Sequence, residues 1–194
     1  MNQYRTHFRY ALLVIAVFAL AIATTSAPAR VSTIPGVTID NFGKVDERYY
    51  RGSQPNQEEV AQLKRLGIKT VIDLREDYKK GEEDWVRGLG MQYFRIPLRT
   101  SKAATDEQAN YFLGLVNDSA NWPVYVHCKG GRHRTGAMTA IYRITHHGWT
   151  ADQAFAEMKE YEFEHGFLGG PSAQKKFVYA FYQTHQTAAI TVQK

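Results

Sequence analysis

The single cysteine of the chain, Cys128, lies in a stretch whose residue types suit chemistry on a phosphate group. This stretch reads HCKGGRHRTG over residues 127–136, and Arg134 follows Cys128 by six positions. A loop of this length can direct its backbone N–H groups at one tetrahedral phosphate while Cys128 and Arg134 approach it from opposite sides. The spacing therefore predicts an enzyme that acts on phosphate esters, with Cys128 and Arg134 as catalytic residues.

The other residues of this loop favour an ionised Cys128 and a bound dianion. A free cysteine has a pKa of about 8.5, and nearby positive charge or a helix N-terminus lowers this pKa. Four basic residues surround Cys128, and an apolar run that resembles a helix begins directly after the loop. Paired glycines free the backbone for unusual dihedral angles, and a threonine can donate to the sulfur. We therefore predict binding roles for Lys129, Gly130, Gly131, Arg132, His133 and Thr135, with His127 orienting the loop from behind.

A structural interpretation of the same residues is also available. A lone cysteine is often a buried, inert hydrophobe, and glycine-rich turns between a strand and a helix are common. Here, however, the strand VYVHC precedes the loop, the arginine has the required spacing and Thr-Gly follows it. The combination favours the catalytic interpretation.

The loop resembles the signature of the cysteine-dependent dual-specificity and tyrosine phosphatases, which is His-Cys, five residues, then Arg followed by Ser or Thr. The likeness extends more loosely from Tyr49 to Tyr161, through RGSQP, GIKTVIDLR and YFRIPL. The loop itself is similar to that of the plant and fungal atypical dual-specificity phosphatases. As an exported single-domain protein, the chain is similar to bacterial periplasmic tyrosine phosphatases. The resemblance implies catalysis through a phosphocysteine intermediate.

The general acid is the part of this resemblance that the residues support least. The family carries an aspartate on the loop after the strand that resembles YFRIPL, but here that loop reads RTSKAA over residues 99–104 and has no carboxylate. Asp106 is the nearest candidate, although aspartate in a first helical turn is also favoured by the helix dipole alone. Both interpretations of Asp106 stay open. The lesser candidates are Glu76, Asp77, Glu164 and His165.

Helical and extended patterns alternate along the rest of the chain. Helix-start residues and stop glycines bound most of the helices, and short apolar runs predict buried strands. The expected helices cover 57–66, 82–88, 106–117, 135–147, 151–160 and 173–185, and the expected strands cover 68–75, 91–98 and 124–128. This order predicts an α/β fold of the dual-specificity phosphatase type, with a mostly parallel central sheet flanked by helices. The site is expected at the carboxyl ends of the strands.

The N-terminus has the pattern of an export signal. Arg5 and Arg9 precede an uninterrupted apolar run from Ala11 to Ala23, and residues 27–29 read Ala-Pro-Ala. The alternative is an uncleaved membrane anchor, but a bilayer span takes about 20 apolar residues. We expect a signal peptide at 1–29, an irregular lead-in at 30–48, a phosphatase domain at 49–186 and a flexible tail at 187–194. The mature protein would then be periplasmic or secreted.

The composition and residue spacing indicate which classes of molecule the protein binds. The 194 residues carry a formal net charge of +5, with 44% hydrophobic and 22% charged residues, which indicates a globular domain. The residue spacing shows no metal-ligand cluster and no nucleic-acid motif, so we predict no metal, no cofactor and no nucleic-acid partner. The expected partner is a phosphorylated protein or a polyphosphorylated small molecule, and membrane contact is expected only through an uncleaved signal segment.

Three functions remain open at this point. The first is a protein phosphatase acting on phosphotyrosine, with or without phosphoserine and phosphothreonine. The second is a phosphatase acting on inositol phosphates, phosphoinositides or a phosphoanhydride. The third is a catalytically dead phosphate-binding module, which the missing loop acid keeps open.

Overall fold

The computed structural model describes residues 34–77, 81–164 and 172–192. Five strands are present in these ranges: β1 (Gly43–Lys44), β2 (Tyr49–Gly52), β3 (Thr70–Arg75), β4 (Gln92–Leu98) and β5 (Val124–His127). Six α-helices accompany them: α1 (Gln57–Arg65), α2 (Glu82–Gly88), α3 (Asp106–Asn117), α4 (His133–His147), α5 (Ala151–Glu160) and α6 (Ser172–Val192). A single 3₁₀ turn, Ser119–Asn121, precedes β5.

The strands form one sheet in the order β1-β2-β5-β3-β4. Strands β2, β5, β3 and β4 pair in parallel, and only β1 pairs antiparallel, with β2. The prediction of a mostly parallel sheet is therefore confirmed. Because β5 lies in the middle, its carboxyl end opens at the centre of the sheet edge where ligands bind in folds of this class.

Each face of the sheet is covered by its own apolar cluster, because successive side chains of a strand point to opposite faces. On one face, Val71 and Tyr125 pack with Val60 and Leu63 of α1. On the other face, residues of β3 and β5 pack against helices α3 to α6, and this cluster includes Ile72, Val126, Phe112, Ile141, Met158 and Val178. The chain thus forms the three layers that the alternating pattern predicts.

The predicted helix boundaries rest on local chemistry, and the structure confirms most of them. Capping boxes at Asn56, Thr105 and Thr150 start α1, α3 and α5, and each pairs the cap side chain with the third residue of its helix. Gly148 ends α4 in the left-handed conformation, with a φ of 65°. These caps satisfy N–H and C=O groups that a helix end leaves unpaired.

Three segments differ from the expectation. Helix α4 begins at His133, two residues before the expected start, so the end of the loop is already helical. Helix α6 continues to Val192, although we expected it to end at His185 and a loose tail to follow from Thr187. The expected irregular lead-in contains β1 and leads directly into β2, whose four residues are all buried and therefore show no alternating pattern.

The predicted signal peptide at 1–29 lies outside the described residues. Within the described ranges, no helix has both the length and the apolar character that crossing a membrane requires.

Candidate active site

The loop between β5 and α4 carries Cys128 directly after the last residue of the strand. Gly131 turns this loop with a φ of 67°, a conformation that side chains other than glycine rarely adopt. A Cβ atom on Gly131 would lie 2.6 Å from the backbone carbon of Gly52 and 2.8 Å from the nitrogen of Ser53. The loop can pack this closely against the end of β2 only because residue 131 is glycine.

An open pocket of about 450 Å³ lies over this loop. Six of the predicted site residues line it: Cys128, Lys129, Gly130, Arg132, His133 and Arg134. Gly131 and Thr135 are buried beneath them. The structure therefore brings the predicted loop residues together around one cavity of the size of a small ligand.

Cys128 is a free thiol and only 3% exposed. Burial alone would raise its pKa, but the Arg134 guanidinium and the Thr135 hydroxyl outweigh burial and hold the pKa of Cys128 below its ordinary value. The backbone N–H groups of Thr135 and Gly131 act in the same direction. These groups stabilise the thiolate, which is the nucleophilic form of cysteine.

Arg134 is oriented by the end of β4. Its Nη1 donates to the carbonyl oxygen of Leu98 at 3.2 Å. Its Nε is buried and has no hydrogen-bond partner among the described residues. A guanidinium held by one edge with a donor left over can bind an oxyanion in a fixed orientation.

Two side chains from the start of the domain hold the loop from behind. Asn41 Nδ2 donates to the Gly130 carbonyl at 2.8 Å, and Arg51 Nη2 donates to the Gly131 carbonyl at 2.7 Å. Both carbonyls are thereby engaged by groups behind the loop. Neither residue was predicted from the sequence to support the loop, because each contact joins positions about 80 to 90 residues apart, although Arg51 is part of the RGSQP stretch.

Arg132 and His133 of the loop contact the segment after α5. Arg132 Nε lies 2.7 Å from the carboxylate of Glu162, a buried residue with a φ of 60°. His133 Nε2 lies 2.9 Å from the Phe163 carbonyl oxygen. A carbonyl can only accept, so this nitrogen carries the proton, and burial lowers the pKa of His133 below its ordinary value.

A buried charged network lies beneath the loop. His127 Nε2 lies 2.7 Å from Glu82, and Arg75 bonds both Glu82 and Asp73 at 2.7 and 2.8 Å. Burial would lower the pKa of His127, but the carboxylate of Glu82 outweighs burial and raises it above its ordinary value. The oxygen of Tyr93 donates to Asp73 as well. The network thus holds His127, which directly precedes Cys128.

Asp73, Glu82 and His127 also place their ligand atoms within 4.8 Å of one another, a grouping that their spacing in the sequence did not indicate. Arg75 already donates to both carboxylates. Arg95 Nε also lies 3.8 Å from Asp73, and His127 Nε2 lies 2.7 Å from Glu82. These residues do not fit a metal ion, because both carboxylates are already paired with arginine side chains that a bound cation would have to displace.

Asp106 lies outside this pocket. It is exposed in the first turn of α3 and lines a separate groove of about 310 Å³ together with residues of α6, among them Phe181 and His185. None of the described residues that line the Cys128 pocket is a carboxylate. The catalytic role of Asp106 stays a prediction that this position does not favour.

The other acid candidates also lie apart from the pocket lining. Glu76 accepts from Arg99 at 2.6 Å on the surface, and Asp77 and Glu164 are exposed. His165 lies outside the described residues. The loop after β4 is instead held by Gln174 of α6, whose Nε2 donates to the carbonyls of Arg99, Thr100 and Lys102 at 3.0, 3.4 and 2.6 Å.

Comparison with known proteins agrees with this geometry. Residues 34–178 match the family described as DSP-PTPase phosphatase fused to NAD+ kinase. The chain is 30% identical over 148 residues to the dual specificity protein phosphatase TpbA of Pseudomonas aeruginosa, a match that covers 76% of this chain and 63% of TpbA. It is 27% identical over 130 residues to the inositol diphosphatase SIW14 of Saccharomyces cerevisiae, covering 64% of this chain and 46% of SIW14. The chain therefore spans less than two thirds of the length of these relatives.

Solved structures of the same two proteins share the fold. The core catalytic domain of SIW14, a PP-IP phosphatase crystallised with citrate, superposes with a TM-score of 0.63 at 25% identity, over 76% of this chain and 86% of that domain. A TpbA variant in complex with pTyr superposes with a TM-score of 0.61 at 25% identity, over 82% and 98% of the two chains. Since the family match includes the whole loop with Cys128 and Arg134, the chain belongs to the cysteine-based DSP-PTPase phosphatases.

Proposed function

We propose that the protein hydrolyses phosphate monoesters through a phosphocysteine intermediate, acting on phosphotyrosine proteins with or without phosphoserine and phosphothreonine. One observation carries this proposal. A cysteine whose pKa is lowered lies in a pocket of about 450 Å³, beside an arginine with an unused buried donor. The pTyr complex of a TpbA variant, a protein of the same fold, supports the choice of phosphotyrosine.

The first step of this reaction forms a P–S bond and breaks the ester P–O bond. The Cys128 thiolate attacks phosphorus, and the electron pair of the breaking bond goes to the leaving oxygen. Arg134 and the loop N–H groups stabilise the charge on the phosphoryl oxygens as the transition state develops. A phenol leaves more readily than an alkyl alcohol because its pKa is about 10.

The second step returns the enzyme to its starting state. Water attacks phosphorus, the P–S bond breaks, and inorganic phosphate leaves while the electron pair returns to Cys128. The Thr135 hydroxyl, which has no oxygen or nitrogen partner among the described residues, stabilises the departing sulfur. The proton lost by the water goes to solvent or to a general base, the role for which Asp106 remains the candidate.

A second candidate substrate class is supported by Lys129. Its side chain is exposed at the pocket and forms no ion pair with any described residue. A cation beyond those that one phosphate needs favours inositol phosphates, phosphoinositides or a phosphoanhydride. The relative SIW14 is named an inositol diphosphatase.

A phosphate-binding module without turnover is the third candidate.

Two substitutions test the mechanism. We expect Cys128→Ser to lose nearly all turnover and still bind vanadate, because the loop N–H groups and Arg134 remain. Arg134→Lys should lose phosphate affinity and about 10²–10³-fold in rate, since a lysine cannot reproduce the guanidinium contacts. Chelators should leave the rate unchanged. Appreciable turnover by Cys128→Ser would refute the mechanism, and a wild-type protein without turnover would favour the binding module.

A substrate panel separates the two enzyme candidates. Phosphotyrosine peptides, phosphoserine peptides and polyphosphorylated inositols would be compared by kcat/KM at one pH and one salt concentration. Preference for phosphotyrosine peptides supports the main proposal. Preference for the inositols supports the second candidate.

We also propose that residues 1–29 direct export and are removed, which would place the enzyme in the periplasm or outside the cell. The support is the sequence pattern of two arginines, an apolar run and Ala-Pro-Ala. N-terminal sequencing of protein from fractionated cells should start at Arg30. Full-length protein in the membrane pellet would instead indicate an anchor.

A further inference from the structure

Arg51 is a buried cation directly behind the loop that holds Cys128. It belongs to β2 and is 0% exposed. Its Nη2 donates to the Gly131 carbonyl at 2.7 Å, and its guanidinium carbon lies 3.7 Å from the centre of the Tyr161 ring. Its Nε and Nη1 are buried and have no hydrogen-bond partner among the described residues.

No carboxylate within the described ranges forms an ion pair with Arg51. The acidic residue that contributes most to its electrostatic environment is Glu157, which is already paired with Arg143 at 2.5 Å. An unpaired buried charge is costly, and arginine keeps its charge at neutral pH. A buried guanidinium with two unused donors therefore indicates that an anion balances it at some stage of the protein's activity.

The position of Arg51 indicates which anion this is. Gly131 accepts from Arg51 through its carbonyl, while the N–H of the same residue stabilises the Cys128 thiolate. The Cys128 sulfur is itself among the groups that interact electrostatically with Arg51. The Cys128 thiolate is thus a negative charge of this loop that acts on Arg51, and a phosphoryl group bound by the same loop would be a second one.

We propose that Arg51 is a positioning residue of the active site, a fixed positive charge behind the loop whose counter-ions are the Cys128 thiolate and the bound phosphoryl group. This inference rests on the proposed function, because it assigns the thiolate and a phosphate to the same loop. Arg51 does not line the pocket. It acts through the Gly131 peptide and through its charge.

Several other ionisable groups lie near Arg51 and Cys128. Arg134 acts on Cys128, His127 directly precedes Cys128 in the chain, and Tyr49, Tyr161 and Glu157 act on Arg51. Substitution of Arg51 leaves all of them in place. A change in the titration of Cys128 can therefore be assigned to the lost charge.

The test compares Arg51→Gln, which keeps a donor without the charge, with Arg51→Lys, which keeps the charge. Arg48→Gln is the matched control, because it removes an exposed arginine three residues away. Alkylation of Cys128 by iodoacetamide would be followed against pH, and binding of inorganic phosphate would be measured by calorimetry. We expect Arg51→Gln to raise the alkylation midpoint by about one pH unit and to weaken phosphate binding about tenfold.

Two variants serve as controls for the effect of the lost charge. Arg51→Lys should retain most of the low midpoint, and Arg48→Gln should behave as the wild type. A wild-type midpoint and wild-type phosphate affinity in folded Arg51→Gln would overturn the proposal. Neither measurement needs turnover. A wild-type protein that hydrolyses no ester would therefore refute the proposed function, but the two measurements would still test the role of Arg51.

If the variants do not fold, a measurement on the wild-type protein still tests the proposal. The Nε–H resonance of Arg51 can be observed by ¹H–¹⁵N NMR, because this group is buried and protected from solvent. We expect this resonance to move as inorganic phosphate is added, while that of Arg48 stays in place. An Arg51 resonance that is unchanged at saturating phosphate would overturn the proposal.

Discussion

Glu82 Oε1 lies 2.7 Å from Nε2 of His127, and both side chains are buried. Glu82 is the first residue of α2, and His127 is the last residue of β5. The contact therefore links a helix on one face of the sheet to the residue directly before Cys128. Arg75 joins the same carboxylate at 2.7 Å, so the pair belongs to a buried network of ion pairs.

We expect Glu82→Gln to destabilise the protein in a pH-dependent manner. The folded-state pKa of His127 is raised, so its pair with Glu82 contributes fully below the unfolded pKa of about 6.5 and is lost as pH rises through the folded value. The free energy of unfolding should therefore differ most between wild type and variant at low pH, by about 3 kcal/mol or more. Urea denaturation between pH 5.5 and 8.5 measures this difference. Glu83→Gln on the same helix is the control, and a difference that does not vary with pH would contradict the expectation.

Asp106→Asn separates the two roles that remain open for this residue. Since Asp106 lines the groove between α3 and α6 and not the Cys128 pocket, we expect a loss of about 0.3–1 kcal/mol of stability and no change in leaving-group dependence. Rates would be compared across aryl phosphates of different leaving-group pKa, together with the pH profile. A selective loss of kcat for poor leaving groups, with loss of the basic limb, would instead assign Asp106 as the general acid.

The unequal environments of Lys129 and Arg132 lead to a prediction about substrate class. Arg132 is paired with Glu162 at 2.7 Å, whereas Lys129 forms no ion pair within the described residues. Lys129→Ala should therefore raise KM for polyphosphorylated substrates more than for aryl monophosphates, and Arg132→Ala should add less. Glu162→Gln should lower KM for the polyphosphorylated class by freeing Arg132. Equal effects on both classes would mean that these charges act only on the Cys128 thiolate.

Gln174 offers a test of how α6 supports the site. Its amide bonds three carbonyls of the loop that follows Leu98, and Leu98 itself orients Arg134. Gln174→Ala should lose about 1–3 kcal/mol of stability because the loop carbonyls lose a buried donor. It should also weaken phosphate binding. Gln183→Ala, at an exposed position of the same helix, is the control, and unchanged phosphate affinity in Gln174→Ala would limit the residue to a structural role.

The features that could be predicted from the sequence are those encoded by neighbouring residues. The capping residues Asn56, Thr105 and Thr150 each act on a position three residues away, so the starts of their helices were predicted correctly. The loop from Cys128 to Arg134 is similarly local. Its residues come together because one turn connects β5 to α4.

The residues that hold the active-site loop in place could not be predicted in this way, because they contact it through tertiary structure. Asn41 and Arg51 reach the loop across about 80 to 90 residues, and Asn41 and Glu162 adopt positive φ values that no local pattern indicates. The network of Asp73, Glu82 and His127 exists only because Glu82, the first residue of α2, reaches the ends of β3 and β5. The strand β2 was missed because all four of its residues are buried.

Cys128 is the only thiol in the chain and lies at the pocket surface formed by its own loop. One equivalent of a thiol reagent per chain therefore counts intact active sites directly, without a reporter substrate. Because its thiolate is stabilised, Cys128 is also the group that peroxide would oxidise. A sulfenic acid at Cys128 has no second cysteine in the chain with which to form a disulfide, so its recovery depends on a thiol from outside or on a backbone nitrogen.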